Sequence, residues 1–360
     1  MQLALALGRR GQGRTWPNPA VGAVVVKDGI IVGRGWTQPG GRPHAEPEAL
    51  TRAGEAAGGA TLYVTLEPCS HFGKSPPCAD AIIGAGIARV VSAIEDPNPE
   101  VGGQGHARLR AAGITVDVGL CADEAARDHA GHFLRVREKR PFVTLKLAVS
   151  ADDRIAAAGR QPVAITGEAA KARVHLLRAQ SDAILVGIGT VLADDPLLTC
   201  RLPGMEARSP VRVVLDRALR LPGDSELVHS ARAHPLWVMT SDLSEAPAAM
   251  KLGAAGAQVV RVPVTSGRPP GLDLKSVLNA LSERGITRLM VEGGARVASS
   301  FLSGGLVDEV WLLRGPKSIG MDGIPALDEQ PLSVITQSPH WRAHATETLD
   351  KDILTIYERT

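Results

Sequence analysis

Residues 43–50 read PHAEPEAL, and residues 65–78 read TLEPCSHFGKSPPC. Taken together, these two stretches decide the fold. His44 and Glu46 stand two apart where a helix running from His44 to Ala57 opens. The apolar run TLYVTL, residues 61–66, reads as a buried strand leading into the turn that carries Cys69. Cys78 then opens a second helix, Pro77 to Gly86. One imidazole and two thiolates are the donor set of a zinc ion that keeps a fourth position open for water. Thiolates at helix N-termini also lose their protons readily. Glu46 fits either as a fourth ligand or as a proton shuttle beside the open position, and spacing alone leaves both readings standing. Singly, each feature has an ordinary structural explanation. A lone histidine is usually structural, a Cys beside Pro is usually buried, and a Glu in a first helical turn complements the helix dipole. Their arrangement on strand ends and helix starts makes the site.

Outward from this core, strand and helix signals alternate. ALALGRR reads as a helix, and AVGAVVVKDGIIVGRGW as a hairpin turning at Lys27-Asp28-Gly29. ARVVSAI is a strand, Gly103 to Ala112 a helix, ITVDVGL a strand, and a long helix ends near Arg137. EKRPF, residues 138–142, marks a boundary, giving an N-terminal domain over 1–139 and a second over 140–360. Strands then recur at FVTLKLAVS, DAILVGI, VRVVLD, HPLWVMT, AQVVRVPV, ITRLMVEGG and LVDEVWLL. Helices are expected at Glu168 to Ala179 and at LDLKSVLNALSERG, ended by Gly285. Residues 221–235 and 263–272 read as surface loops. Both halves are therefore layered α/β domains.

The charge balance narrows the partners. A net charge of +2 over 360 residues gives no footprint for nucleic acid or an anionic membrane. The basic run RVREKR, residues 135–140, falls at a helix C-terminus, where cations complement the dipole. Aromatics at 3% leave few faces on which bases could stack. No eighteen apolar residues run together, and MQLALALGRR is too short for a signal core, so a cytoplasmic protein is expected. In that compartment the four cysteines are read as metal ligands or buried residues.

H-x-E followed by P-C and a second Cys is the pattern of zinc deaminases acting on nucleobases, with Glu as general acid/base. Eight residues separate the two cysteines here. Together with TWPNPAVGAVVVKDG, IEDPNPEVGGQG, LRAQSDAILVGIGTVLADDPLLTCR and VEGG, this chain resembles the bifunctional riboflavin-biosynthesis deaminase–reductases over almost its full length. The resemblance implies a cytidine-deaminase-like α/β/α domain followed by a dihydrofolate-reductase-like α/β domain. It implies zinc on His44, Cys69 and Cys78, with Glu46 catalytic. A diaminopyrimidinone ribosylamine phosphate would be deaminated against Asn18, His71, Lys74, Asp96 and Asn98. NADPH would then reduce its ribosyl group to ribityl. Thr190, Asp194 and the run Gly294, Ala295, Arg296, Val297, Ala298, Ser299 and Ser300 fall at cofactor positions, and Arg178, Leu198, Arg201 and Glu292 at substrate positions. A homodimer or homotetramer built through the reductase domain is also implied.

The residues themselves support the cofactor reading unevenly. GIGTVL, residues 187–192, is a weak dinucleotide signal, whereas VEGGARVASSFL delivers Gly293 and Gly294 from a strand to a helix start, where free N–H groups can face a phosphate. The chain departs from the family pattern at Thr37 and Glu48, where His is usual. It departs again at Asp153, which stands for a Gly and is expected to take the left-handed conformation. Pro162 and Ala164 stand where Ser and Trp contact substrate and cofactor. The alternative is a zinc deaminase of another nucleobase carrying an inactive or repurposed reductase-like domain. A deaminase of nucleic acid and a zinc-stabilised scaffold are the rivals from other classes.

Overall fold

The computed structural model describes residues 1–360 except 74–75, 100, 161–162, 268–269 and 329. Its first unit comprises Met1–Pro141 with Arg284–Thr287. Helix α1 (Gln2–Arg9) buries Ala4, Leu5 and Leu7. Strands β1 (Gly22–Lys27) and β2 (Ile30–Trp36) pair antiparallel around Asp28 and Gly29. Both turn residues take positive φ, 51° and 76°, the geometry whose twist matches a two-residue hairpin. There follow α2 (Ala45–Ala53), β3 (Thr61–Val64), α3 (Cys78–Gly84), β4 (Arg89–Ser92), α4 (Gln104–Ala111), β5 (Thr115–Val118), α5 (Ala122–Asp128) and α6 (Ala130–Glu138). The sheet order is β2-β1-β3-β4-β5, antiparallel at β1 and parallel from β3 to β5. Val25, Leu62, Val64, Val90, Ala49 and Ile82 form its core.

Two helices differ from the sequence expectation. The first ends at Ala53, because Gly54 turns to φ 54° and the chain tightens into a short 3-10 turn. The last is two helices, broken at His129 (φ −96°, ψ 5°). The His129 ring is buried, with Nε2 3.1 Å from Thr65 Oγ1 beyond β3, so a side-chain anchor interrupts the helical pattern.

The second unit comprises Phe142–Glu283 and Arg288–Thr360. It contains β6 (Phe142–Val149), β7 (Arg154–Ala156), α7 (Glu168–Gln180), β8 (Ala183–Gly187), α8 (Ile188–Asp194), β9 (Val211–Leu215), α9 (Glu226–His229) and β10 (Leu236–Ser241). Then come α10 (Ala246–Ala254), β11 (Gln258–Val262), α11 (Leu274–Glu283), β12 (Arg288–Val291), α12 (Ala295–Ser303) and β13 (Glu309–Arg314). The chain ends with β14 (Ile324–Pro325), α13 (Ser333–Thr336), β15 (Trp341–Leu349) and β16 (Asp352–Arg359). The nine-stranded sheet runs β11-β10-β9-β8-β12-β6-β13-β16-β15. Its pairs are parallel as far as β13 and antiparallel across β16 and β15. Strands β8 and β10 are buried at every residue, which is why they read as unbroken apolar runs. After building outward to β11, the chain returns to insert β12 between β8 and β6. Ligands of parallel sheets collect at such switch points, beyond the strands' C-terminal ends.

Residues 221–235 are not a surface loop. Leu227 and Val228 of α9 are core, and Arg212 is fully buried beneath the segment. Its guanidinium donates to Leu227 O, Ser230 Oγ and His234 O. The Pro-Gly-Ser composition hid these interior partners.

Candidate active sites in the two units

In the first unit the parallel strands and helix starts bring the predicted donors together. His44 is the N-cap of α2, and its Nδ1 lies 3.3 Å from Cys78 Sγ and 3.8 Å from Cys69 Sγ. Cys78 is the first residue of α3, and its backbone N–H donates to Cys69 Sγ at 3.3 Å. The three donor atoms lie within 4.8 Å of one another. A tetrahedral zinc holds its nitrogen and sulfur ligands about 3.5 Å apart, so the set fits the ion. Hydrogen bonding to the Cys78 side chain holds Cys69 far below the ordinary thiol value. The same bond, joined by burial, pushes Cys78 well up. Both thiols must be deprotonated to hold a metal ion, so binding one releases protons. Glu46, in the first turn of α2, is 3% exposed, and burial pushes its carboxyl up to about 7.

A carboxylate to which sequence reasoning assigned no role holds this site in shape. Glu67, two residues before Cys69, is buried and accepts four backbone N–H groups. Oε1 receives Gly105 and His106 at 2.9 and 3.2 Å, and Oε2 receives Gly103 and Asp96 at 2.9 and 3.2 Å. It ties the Cys69 turn to the start of α4 and to the loop after β4. A Cβ on Gly105 would come 2.0 Å from Pro68 O, so only glycine permits the approach. The signal was present in TLEPC, where an acid at a strand end precedes Pro.

The expected substrate residues fare differently. Asp96 sits beyond the C-terminal end of β4, neighbour to β3, with both carboxylate oxygens within 3.2 Å of His132 Nε2. Burial pushes Asp96 up, but His132 outweighs it and the carboxyl titrates below its ordinary range. Asn98 donates its N–H to Asp96 Oδ1. Asn18 spends one amide hydrogen on Gly41 O at 2.8 Å. His71 is exposed in the loop between the cysteines, and Lys74 lies outside the described residues. Thr37 is buried, its hydroxyl accepting Val21 N–H, and Glu48 pairs with Arg52, so both departures serve the framework.

In the second unit a cavity of about 1980 Å³ opens at the C-terminal ends of the parallel strands. Thr190, Asp194, Gly294, Ala295, Arg296, Val297 and Ser300 line it. Gly187 and Gly293 admit Val297, whose carbons would lie 2.8 Å from a Cβ at either position, so α12 can start hard against β8 and β12. Two expected cofactor residues do not face the cavity. Ala298 is fully buried, and Ser299 is turned inward, its hydroxyl bonded to Asp328 O and N, because they occupy the inner side of α12. Val163 lines the cavity while Ala164 is exposed, and Pro162 lies outside the described residues.

Glu292 is the centre of a charge cluster. Lys146 Nζ reaches its Oε1 at 3.0 Å and Arg178 Nη2 its Oε2 at 2.9 Å. Burial raises the Glu292 carboxyl, but the two cations outweigh it and bring it to about 2. Lys146 was not anticipated, since a lysine inside a strand run reads as an exposed position. Arg178 also donates to Thr199 O, so its guanidinium is held by the protein, whereas Arg201 is exposed. Leu198 is buried at φ 56°, a left-handed conformation that is costly for a leucine and is found where a site dictates the backbone. Asp153 takes φ 63°, as expected for a residue standing for Gly, and pairs with Arg314 at 2.6 Å.

Comparison with known proteins accounts for both units. Residues 1–94 match the cytidine and deoxycytidylate deaminase zinc-binding region, and residues 141–355 match the RibD C-terminal domain. Riboflavin biosynthesis protein RibD of Aquifex aeolicus is 43% identical over 359 residues, covering 100% of this chain and 97% of that protein. The Escherichia coli RibD is 40% identical, covering 98% and 96%. Among solved structures, Acinetobacter baumannii RibD superposes with a TM-score of 0.87 at 37% identity, covering 100% of this chain and 97% of that one. A diaminohydroxyphosphoribosylaminopyrimidine deaminase/5-amino-6-(5-phosphoribosylamino)uracil reductase of Thermotoga maritima gives 0.86 at 36% with the same coverage. The chain belongs to the RibD family: it is a bifunctional enzyme of riboflavin biosynthesis, with a zinc-dependent deaminase domain and an NADPH-dependent reductase domain.

Proposed function

We propose that the first unit removes the ring amino group of a diaminopyrimidinone ribosylamine phosphate, and that the second then reduces its ribosyl group to ribityl. The observation that carries this is a buried Glu46 in the helical turn begun by His44, with Cys69 and Cys78 closing the donor set. His44, Cys69 and Cys78 hold zinc, which supplies the Lewis acidity that makes water nucleophilic near neutral pH. Glu46 is the proton carrier. Its carboxylate takes one proton of the attacking water and gives it to the ring nitrogen, then takes the proton of the newly added hydroxyl and gives it to the amino group, which leaves as ammonia as the ring carbonyl forms. A carboxyl whose burial brings it to about 7 is suited to both halves of that relay at working pH. Asp96, oriented by His132, receives ribose hydroxyls. Asn18 offers its remaining amide hydrogen and its carbonyl to the pyrimidine edge. His71 and Lys74 close the site from the loop between the cysteines.

In the second unit bound NADPH supplies hydride. The amides at Gly294 and the start of α12 hold its phosphates. Arg201 takes the substrate phosphate, while Arg178 and Lys146 hold Glu292 ionised beside the sugar. The deaminase domain spans 1–139 and the reductase domain 140–360. The enzyme works in the cytoplasm on a free small molecule, without nucleic acid or membrane, as a homodimer or homotetramer through the reductase domain. Supporting this, the chain bears a net charge of only +2, and among the described residues no helix is long and apolar enough to cross a membrane. The test is ammonia release from the ribosylamine phosphate, cytidine and a single-stranded oligonucleotide in parallel. Release from the first alone is expected, and comparable release from either of the others would defeat the substrate assignment.

A further inference from the structure

Side chains of α7 hold the backbone from which Arg201 projects. Residues 195–201 form neither helix nor strand, and Leu198 turns to φ 56° among them. Leu198, Thr199 and Cys200 are nonetheless buried, while Arg201 is exposed. Such a segment has no ladder to satisfy its backbone groups, so other partners must. Arg178 Nη1 donates to Thr199 O at 3.1 Å. Cys200 N–H donates to Ser209 Oγ at 3.1 Å, and that hydroxyl donates in turn to Glu206 O at 2.9 Å. Arg201 N–H donates to His175 Nδ1 at 3.2 Å. Three consecutive residues are thus each held by a side chain, and α7 supplies two of those side chains. His175 and Arg178 stand three apart, on one face of that helix.

The bond from Arg201 fixes the state of His175. A ring nitrogen that accepts an N–H bears no proton, so the imidazole is neutral with its hydrogen on Nε2. Burial, joined by the guanidinium groups of Arg178 and Arg201, holds the ring below its ordinary range against the opposing pull of Glu292 and Thr199 O. The ring therefore stays an acceptor at neutral pH. Arg178 is committed to Glu292 and Thr199 O. Arg201 is exposed, and its direction starts from the backbone that carries it.

We propose that His175 is a positioning residue of the reductase: by accepting the Arg201 N–H it sets the backbone that presents the Arg201 guanidinium to the substrate phosphate. This rests on the reading that Arg201 takes that phosphate. Without the acceptor, the Arg201 segment must be ordered at the moment of binding, which weakens binding. The phosphate is remote from the carbon that receives hydride. The loss therefore falls on ground and transition states alike, and KM rises while kcat holds.

The test is steady-state reduction of pre-deaminated substrate at saturating NADPH by the full-length protein. The variants are His175→Leu, His175→Asn, Arg201→Gln and the double variant His175→Leu/Arg201→Gln. Leucine fills much of the ring's space without an acceptor, whereas asparagine can place Oδ1 where Nδ1 stood. His175→Leu should raise KM about tenfold, the scale of one well-placed hydrogen bond, with kcat within about twofold. His175→Asn should restore KM to within about threefold of wild type. In the Arg201→Gln background, His175→Leu should add nothing, because the two act as one unit. Ammonia release by the same His175→Leu chain should be unchanged, which reports that the protein is folded. An unchanged KM in His175→Leu, equal impairment in His175→Asn, or a full further loss in the double variant would overturn the positioning role. If Arg201→Gln itself leaves KM unchanged, the phosphate assignment beneath it falls instead.

Discussion

Substitution of Glu67 by Gln removes a charge that touches no substrate, yet it should loosen the deaminase site. The carboxylate accepts four backbone N–H groups, two on each oxygen. Glutamine keeps one carbonyl oxygen. Its NH2 must then face two N–H donors, either Asp96 and Gly103 or Gly105 and His106. Each buried donor left unpaired costs ~1–3 kcal/mol, so the variant should lose about 4 kcal/mol. For a unit of this size that corresponds to a fall in melting temperature of ~10 °C or more. Because Glu67 fastens the turn bearing Cys69, zinc should also leave faster. The assay is thermal unfolding of the full chain with zinc release followed by a chromogenic chelator. Gly105→Ala strains the same joint from the other side, through the 2.0 Å approach to Pro68 O, and should act likewise. If Glu67→Gln melts within 2 °C of wild type and holds zinc equally long, the joint is not what shapes the site.

The other predictions are more local. Glu46→Gln should keep zinc and lose deamination by about a hundredfold or more, with reduction of pre-deaminated substrate unchanged; near-normal deamination would exclude Glu46 as the shuttle. Cys69→Ala and Cys78→Ala should each purify with little zinc and a less stable first unit, so stoichiometric metal in both would defeat the ligand set. Gly294→Asp has room, since the nearest atom to its Cβ is Thr190 Oγ1 at 3.8 Å, and Asp is a good N-cap. It should therefore abolish NADPH binding without lowering stability, and calorimetric titration reads both possibilities. The depressed Glu292 carboxyl gives the second unit stability that is fully present above the ordinary carboxylate range and is lost as pH falls through it toward about 2. Denaturant midpoints measured down that range should fall less steeply in Glu292→Gln; parallel curves would contradict the pairing with Lys146 and Arg178.

Legibility followed the chemistry's locality. His44, Glu46, Cys69 and Cys78 sit at strand ends and helix starts, and both kinds of boundary carry their own residue signals. The parallel strands of the second unit were legible because burial on both faces leaves unbroken apolar runs. The terminal hairpin of β15 and β16 was not, since WRAHATETL alternates with charged residues along an edge. Glu67 and Arg212 escaped because their partners, apart from the Ser230 hydroxyl on Arg212, are backbone atoms scattered along the chain, and no side-chain pattern marks such partners. Ala298 and Ser299 were assigned by continuity with Gly294, whereas a helix start shows only some of its positions to a ligand. Their inward orientation follows from the helical period once the core side of α12 is known.

The account's central claim is that one chain performs both steps in order. The most direct measurement incubates purified protein with the ribosylamine phosphate while following ammonia and NADPH oxidation together, with and without a zinc chelator. Ammonia should appear without NADPH, and NADPH oxidation should begin only as the deaminated product forms. The chelator should stop ammonia release while leaving reduction of pre-deaminated substrate intact. NADPH oxidation that proceeds on the undeaminated substrate, or that the chelator stops equally on pre-deaminated substrate, would contradict the division of labour proposed for the two units.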